Sequence, residues 1–346
     1  MRAVMVREYG GPDVLELAEV PDPRPGPREV VVDVAASGVN FIDVYQRTGV
    51  YRRPLPFIPG IEAAGRVTEL GPDVDDVRVG DRVAWVNVDG GYAERAVAPA
   101  RALVPLSGEV SGELAAAVLL QGMTAHYLAH DVYPVGCGDT VLIHAAAGGV
   151  GLLLIQFVKL RGGRVIAAVS TSVKEGHARA AGADAVIQYN GADVAARVKE
   201  LTDGEGVAAV YDGVGAPTFE ASLASLRPRG MLALFGQAGG SVPPVDLQRL
   251  NAAGSVFITR PNLSHYTATR AELLARARRV LELAAARKLV VHVHGIHTLD
   301  HAAMAHWDLQ QCATAGKLLL KGPGPPATTT DLPHRPTGIS MRRTAK

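Results

Sequence analysis

Three glycines fall within four residues of the stretch HAAAGGVGLLLIQ at positions 144–156. Their frame is Ala145-x-x-Gly148-x-x-Gly151, entered from the apolar run TVLIHA and left through GVGLLLIQFVKL. A strand that passes into a helix through such a turn suits a pyrophosphate, because bare glycine backbone can approach it closely and the helix N-terminus favours its charge. Gly151 would let the helix pack tightly on the sheet. The first glycine of the usual G-x-G-x-x-G pattern is alanine here, so the motif must be judged by its setting.

The end of the next strand indicates which dinucleotide is meant. Sites that prefer NAD place Asp or Glu there to bond the ribose hydroxyls. This chain has Val169-Ser170-Thr171, followed by Lys174. Two hydroxyls and an ammonium can hold a 2′-phosphate that a carboxylate would repel. NADPH is therefore the expected cofactor, although Lys174 taken alone reads equally as a solvated helix residue.

Other chemistries find less support. His292, His294, His297 and His301 crowd ten residues, but their spacing matches no catalytic zinc pattern, and exposed or structural imidazoles are the plainer reading. No G-x-S-x-G elbow is present to anchor a serine hydrolase. Cys137 and Cys312 are the two cysteines of 346 residues, too few for a disulfide framework, which favours a reducing compartment. The N-terminal MRAVMVREYG has no apolar targeting core and no apolar run is long enough to span a bilayer. A soluble, cytoplasmic protein with no membrane partner is expected. Net charge is +1 with scattered basic residues, so nucleic acid is not an expected partner and a small ligand is.

The elements that must position these residues form two groups. Up to about Leu120, short apolar runs such as VVVDVAASGVN, AAGRVTELG and GDRVAWV alternate with Gly and Pro, as in a compact β-rich domain. From Asp139 onward, strand and helix take turns: TVLIHA, GVGLLLIQFVKL, RVIAAVS, SVKEGHARAAGA, DAVIQY, VAARVKELT, VAAVYDGVG, FEASLASL and RGMLALFG. That rhythm implies an α/β domain, a doubly wound parallel sheet, with GSVFITRP closing it. Two amphipathic helices follow, in TRAELLARARRVLELAAARK and HTLDHAAMAHWDLQQ, and then a last strand KLLLK. These C-terminal elements are expected to rejoin the first domain, giving residues 1–124 with 262–322, a cofactor domain at 125–261, and a disordered Pro/Thr-rich tail at 323–346.

Taken together, GVNFIDVYQRTGVY (38–51), PGIEAAGRV (59–67), HAAAGGVG, VYDGVG and TRPNLSHYTATRAEL (259–273) resemble the zinc-independent quinone oxidoreductases, or ζ-crystallin-like proteins, of the medium-chain dehydrogenase/reductase superfamily. The similarity reaches to about Lys321. It implies a GroES-like catalytic domain beside the Rossmann domain, a cleft between them, and a homodimer formed through the edges of the cofactor-domain sheets. Zinc-dependent relatives carry Cys near position 40 and Gly-His-Glu near position 60, whereas this chain has Asn40 and Gly60-Ile61-Glu62, so no metal is expected.

Carried over by position, the resemblance places Asn40, Tyr45 and Thr124 at the nicotinamide and substrate cleft. It places Gly148, Gly149 and Val150 at the pyrophosphate, Ser170, Lys174 and Tyr189 at the adenosine phosphate, Phe235 and Gly236 over the nicotinamide ribose, and Lys317 against the cofactor. Cys312 stands where close relatives can carry Arg. The implied chemistry is hydride transfer from NADPH to a quinone, with Asn40 and a tyrosine polarising the acceptor oxygen. Tyr51, in Gly49-Val50-Tyr51, looks like a proton donor of related enoyl thioester reductases, so an alkenal, enone or enoyl-thioester double-bond reductase is the alternative. A non-catalytic NADPH-binding structural or regulatory protein is a third reading.

Overall fold

The computed structural model describes residues 1–322, and the tail at 323–346, expected above to be disordered, lies outside the described residues. In chain order, the first part forms β1 (Arg2–Val6), β2 (Leu15–Glu19), β3 (Glu29–Val39), α1 (Phe41–Arg47), β4 (Glu62–Leu70), β5 (Arg82–Val86), β6 (Arg95–Pro99), β7 (Val104–Pro105) and α2 (Gly112–Tyr127). Next come β8 (Thr140–Ile143), α3 (Gly149–Leu160), β9 (Arg164–Val169), α4 (Ser172–Ala180), β10 (Ala185–Gln188), α5 (Val194–Leu201), β11 (Val207–Asp212), α6 (Phe219–Ala224), β12 (Leu226–Leu234), α7 (Gln248–Ala252) and β13 (Phe257–Thr259). The chain returns through α8 (Arg270–Ala285), β14 (Val293–Thr298), α9 (Ala302–Gln310) and β15 (Lys317–Lys321).

Strands β8 to β13 make one sheet in the order β10-β9-β8-β11-β12-β13, with every neighbour parallel. Helices cover both faces of such a sheet, which is why its strands read as apolar runs; β11, VAAVYD, is buried at every position. The strand within GSVFITRP closes the sheet as expected, pairing with β12. Chain order reverses between β8 and β11, and the crevice beyond the carboxyl ends of the strands at such a reversal is where open α/β sheets bind ligands.

The second large sheet runs β14-β15-β3-β4-β5-β7, with β6 also paired to β3. Leu318, Leu319 and Leu320 lie opposite Val39, Gly38 and Ser37, so a strand from the far end of the chain completes a sheet begun at its start. That antiparallel register sets Lys317 beside Asn40.

Helix α2 departs from the sequence reading, which carried the β-rich region to about Leu120. It packs against β3, β4 and β5 on one side and against α3 and α8 on others, so it is apolar around most of its circumference and shows no polar stripe to betray its period. The Ser111 hydroxyl caps it by accepting the Leu114 N–H at 3.0 Å. Among the described residues, no helix is long and apolar enough to cross a membrane.

Candidate active site

A cavity of about 400 Å³ lies between the two sheets. On the cofactor-sheet side it opens onto the start of α3, where Gly148 is the N-cap and no side chain caps the helix. The free N–H groups of that first turn therefore face the cleft as an anion site. Ala145, one residue before the alanine that replaces the first glycine, adopts φ 49°, so the backbone makes the left-handed turn at a steric cost. A Cβ on Gly151 would lie 2.6 Å from the carbonyl oxygens of Ala145 and Ala146, which explains glycine there.

Ser170, Lys174 and Tyr189 line the far end of the same cavity, and no Asp or Glu lines it anywhere. The Lys174 ammonium donates to the Cys312 carbonyl across the mouth of the cleft. Of the two hydroxyls read from the sequence as phosphate ligands, Thr171 is withdrawn: it caps α4 by accepting the Lys174 N–H at 3.3 Å, and it is not among the lining residues. An uncapped helix start, an acid-free wall and an ammonium beyond the next strand fit a dinucleotide bearing an extra phosphate.

The other half of the cleft is built on α1. Asn40 follows β3 as the N-cap of α1 and donates its backbone N–H to the Asp43 carboxylate at 2.8 Å, which fixes the first turn of α1. Its side chain lies in a buried network. Nδ2 donates to Glu62 Oε2 at 2.9 Å and to the Gly38 carbonyl at 3.2 Å, while Oδ1 accepts from Lys317 Nζ at 2.7 Å and from Gln121 Nε2 at 3.4 Å. Lys317 also ion-pairs with Glu62 at 2.7 Å, with the two side chains 1% and 0% exposed. Lysine can only donate and the carboxylate only accepts, so the orientation of the Asn40 amide is fixed.

Two expectations are corrected by this network. Asn40 lines the cleft, but both amide hydrogens are committed, so it cannot polarise an acceptor oxygen without losing a buried partner. Lys317 does not face the cleft; it stands behind Asn40. Glu62 pairs with Lys317, and Asp43 holds the first turn of α1. Burial pushes the Asp43 carboxyl up to about 7, against the lowering effects of the Asn40 N–H, the Tyr92 hydroxyl and the Lys317 charge. Beyond Asp43 the chain of bonds continues through Tyr92 and His306 to Arg47. Burial and the Arg47 charge hold the His306 imidazole down at about 3, so it is neutral.

Tyr45 reaches across the cleft, and its hydroxyl oxygen accepts the Gln237 N–H at 3.0 Å. Among the described residues its proton has no acceptor, and burial pushes the phenol up to about 12. It is therefore a hydrogen-bond donor and not an acid. The Tyr51 ring meets the Tyr45 ring edge-on at 5.1 Å, and its hydroxyl accepts from Arg260 Nη2 at 3.3 Å. Thr124 lines the cleft while donating to the Leu120 carbonyl at 2.8 Å. Phe235 and Gly236 also line it, and their N–H groups donate to the Asp212 backbone carbonyl at 2.9 and 3.4 Å, while the buried Asp212 carboxylate accepts from Val214 N, Gly215 N, Thr218 and Ser222 of the neighbouring turn.

The cleft thus gathers every candidate residue except Thr171 and Lys317. It adds Gln121 and Arg260, which the sequence reading did not single out. Gln121 Oε1 is buried without a partner, and a Cβ on Gly149 would lie 1.9 Å from it, so amide and glycine turn are in close contact. Arg260 lay in plain view within TRPNLSHY, but nothing local marks it as a cleft residue.

Two family models match the chain: an alcohol dehydrogenase GroES-like domain over residues 26–108 and a zinc-binding dehydrogenase domain over residues 149–276. The zinc named in the second has no thiolate and imidazole set in the cleft, where Asn40 and Ile61 stand, and among the described residues no three His, Cys, Asp or Glu group closely enough to hold a metal ion. A quinone oxidoreductase of Pseudomonas aeruginosa is 42% identical over 321 residues, covering 92% of this chain and 99% of that protein. A 2-haloacrylate reductase of a Burkholderia species is 39% identical, covering 92% and 98% respectively. A mycobacterial protein solved in complex with NADPH is 50% identical and superposes with a TM-score of 0.90, covering 93% of this chain and 100% of that one.

Proposed function

The chain belongs to the quinone oxidoreductase family of the medium-chain dehydrogenase/reductases, and from that premise we propose that it reduces quinones with NADPH and without a metal. NADPH, when bound, supplies the hydride. The first turn of α3, with Gly148, Gly149, Val150 and Gly151, takes the pyrophosphate. Ser170, Lys174 and Tyr189 take the adenosine phosphate, and Phe235 and Gly236 the nicotinamide ribose. Gln121 and Thr124 shape the wall between, and Asn40 forms a rigid floor set by Lys317 and Glu62.

Tyr45 carries the polarising role. Its hydroxyl is held by the Gln237 N–H with its own proton free, so it can donate to the acceptor oxygen as negative charge develops there. A hydroxyl pushed to about 12 keeps its proton, and the hydroquinone takes its protons from water. The single observation that carries the reading is this donor in one half of a cleft whose other half offers an uncapped helix and Lys174, with no carboxylate in either.

The test is NADPH oxidation followed optically against quinones, an alkenal, a haloacrylate and an enoyl thioester, with NADH in parallel and chelator present. Quinone-dependent oxidation that prefers NADPH and survives chelation is the expected result. Turnover confined to the unsaturated carbonyl compounds would establish the second reading, carbon–carbon double-bond reduction, which the 39% identical 2-haloacrylate reductase favours. Tight NADPH binding with no turnover on any acceptor would leave a non-catalytic binding protein. We also propose a cytoplasmic homodimer joined through β13, an edge strand whose Phe257 is exposed; sedimentation at several concentrations checks it.

A further inference from the structure

The acceptor half of the cleft contains one cation with no anion to answer it. Lys174 is accounted for by the phosphate end, but Arg260 lies at the opposite end, beyond Tyr45 and Tyr51. Its Nη1 donates to the Leu234 carbonyl at 2.9 Å and its Nη2 to the Tyr51 hydroxyl at 3.3 Å, both neutral acceptors. Among the described residues no ion pair includes Arg260, and the cleft lining holds no Asp or Glu.

A guanidinium is always charged and presents five donors in a planar fork that matches a carboxylate. Here only two of its nitrogens are engaged. Arg260 and Tyr51 are both exposed at the mouth of the cleft, so the fork is open to a ligand entering from solvent. The Tyr51 hydroxyl, having accepted from Arg260, keeps its own proton free, and its ring lies against Tyr45. One face of the cleft therefore presents, in sequence, a hydroxyl for a carbonyl oxygen, a second hydroxyl, and a fork of positive charge.

We propose that Arg260 and the Tyr51 hydroxyl form an anion subsite, so that the preferred acceptors are conjugated carbonyl compounds bearing a carboxylate-like group. This rests on the reading of the cleft as that of an NADPH-dependent reductase. Arg260 determines specificity, holding the acceptor's charged substituent while Tyr45 engages the oxygen that gains charge. Its bond to Leu234, at the base of the loop bearing Phe235 and Gly236, also makes it a brace. The test must separate the two roles, since a brace would affect all acceptors alike.

The experiment compares kcat/KM for naphthoquinone and naphthoquinone sulfonate in the wild type, Arg260→Gln, Arg260→Lys and Tyr51→Phe. The readout is the preference for the anionic acceptor over the neutral one; comparing variants cancels the different potentials of the two quinones. Loss of a charge-assisted pair predicts that this preference falls about tenfold or more in Arg260→Gln and less in Arg260→Lys and Tyr51→Phe. A preference unchanged within about threefold in Arg260→Gln would overturn the proposal and leave a brace. A second arm titrates naphthalene sulfonate into wild type and Arg260→Lys, each saturated with NADP+, with and without added salt. Binding in the wild type that salt weakens and the lysine variant reduces supports the subsite, and equal binding in both overturns it. This arm needs no turnover, so it decides the proposal even if quinone reduction itself fails.

Discussion

Replacing Lys317 with methionine removes one member of a pair from which water is wholly excluded. The ammonium lies 2.7 Å from Glu62 Oε2 and 2.7 Å from Asn40 Oδ1, with both charged side chains no more than 1% exposed. Without it, the Glu62 carboxylate keeps the Leu120 and Asn40 N–H donors but no countercharge. Breaking a buried pair from one side costs about 3–5 kcal/mol, because an uncompensated charge stays behind. For a chain of this size that corresponds to a fall in melting temperature of roughly 4–7 °C. Glu62→Gln should cost a similar amount, since it leaves the ammonium buried with only neutral acceptors. The double variant buries no net charge, so its loss should fall short of the sum of the two by about 2–3 kcal/mol. Denaturant unfolding of the four proteins, monitored by circular dichroism at one pH, gives these values. Single losses below about 1 kcal/mol, or losses that simply add, would refute the view that these groups act as one unit.

Three further outcomes are expected. Ser170→Asp combined with Lys174→Ala should weaken NADPH binding by roughly tenfold to a hundredfold, the worth of a lost charge-assisted contact, while NADH changes far less; an unchanged preference in fluorescence titrations removes the phosphate assignment. Tyr45→Phe should lower kcat on quinones by roughly tenfold to a hundredfold with a smaller effect on NADPH affinity, and a loss confined to KM would show that the hydroxyl only positions. His306, held at about 3 in the fold against an ordinary 6.5, contributes stability that is present above pH 6.5 and lost as the pH falls, about 2 kcal/mol by pH 5. Wild type should therefore lose ground to His306→Gln on acidification. Comparing the two at each pH cancels the opposite trend of Asp43, whose raised value favours the fold in acid; parallel melting curves from pH 7.5 to 5 would refute the assignment.

The cofactor sheet was legible because strands such as β11, buried on every residue, must be apolar throughout, and the glycine turn marks where the first of them ends. Helix α2 was not, because burial on several sides erases the contrast from which a helical period is read. The cleft was legible as a place and less so as chemistry. Asn40 and Tyr45 lie within a motif that announces them, but the Asn40 amide is committed by a lysine 277 positions away. Tyr51 likewise meets an arginine 209 positions away. The Thr171 hydroxyl was misread for a local reason: a threonine before a helix serves as readily as its cap as a phosphate ligand.

The short connection from α9 into β15 carries one more implication. Gly316 sits at φ 74°, a Cβ there would lie 2.1 Å from the His292 carbonyl, and its N–H bonds the Ala147 carbonyl at 2.8 Å, beside the glycine turn. The next residue is Lys317, which fixes Asn40 at the acceptor end. Two adjacent residues thus tie both halves of the cleft to one point on the chain. Connections between elements ordinarily absorb insertions and drift over generations. A single residue added here would turn Lys317 away from Glu62 and pull the Ala147 contact out of place, so homologues that vary freely elsewhere on the surface should keep the length of this link.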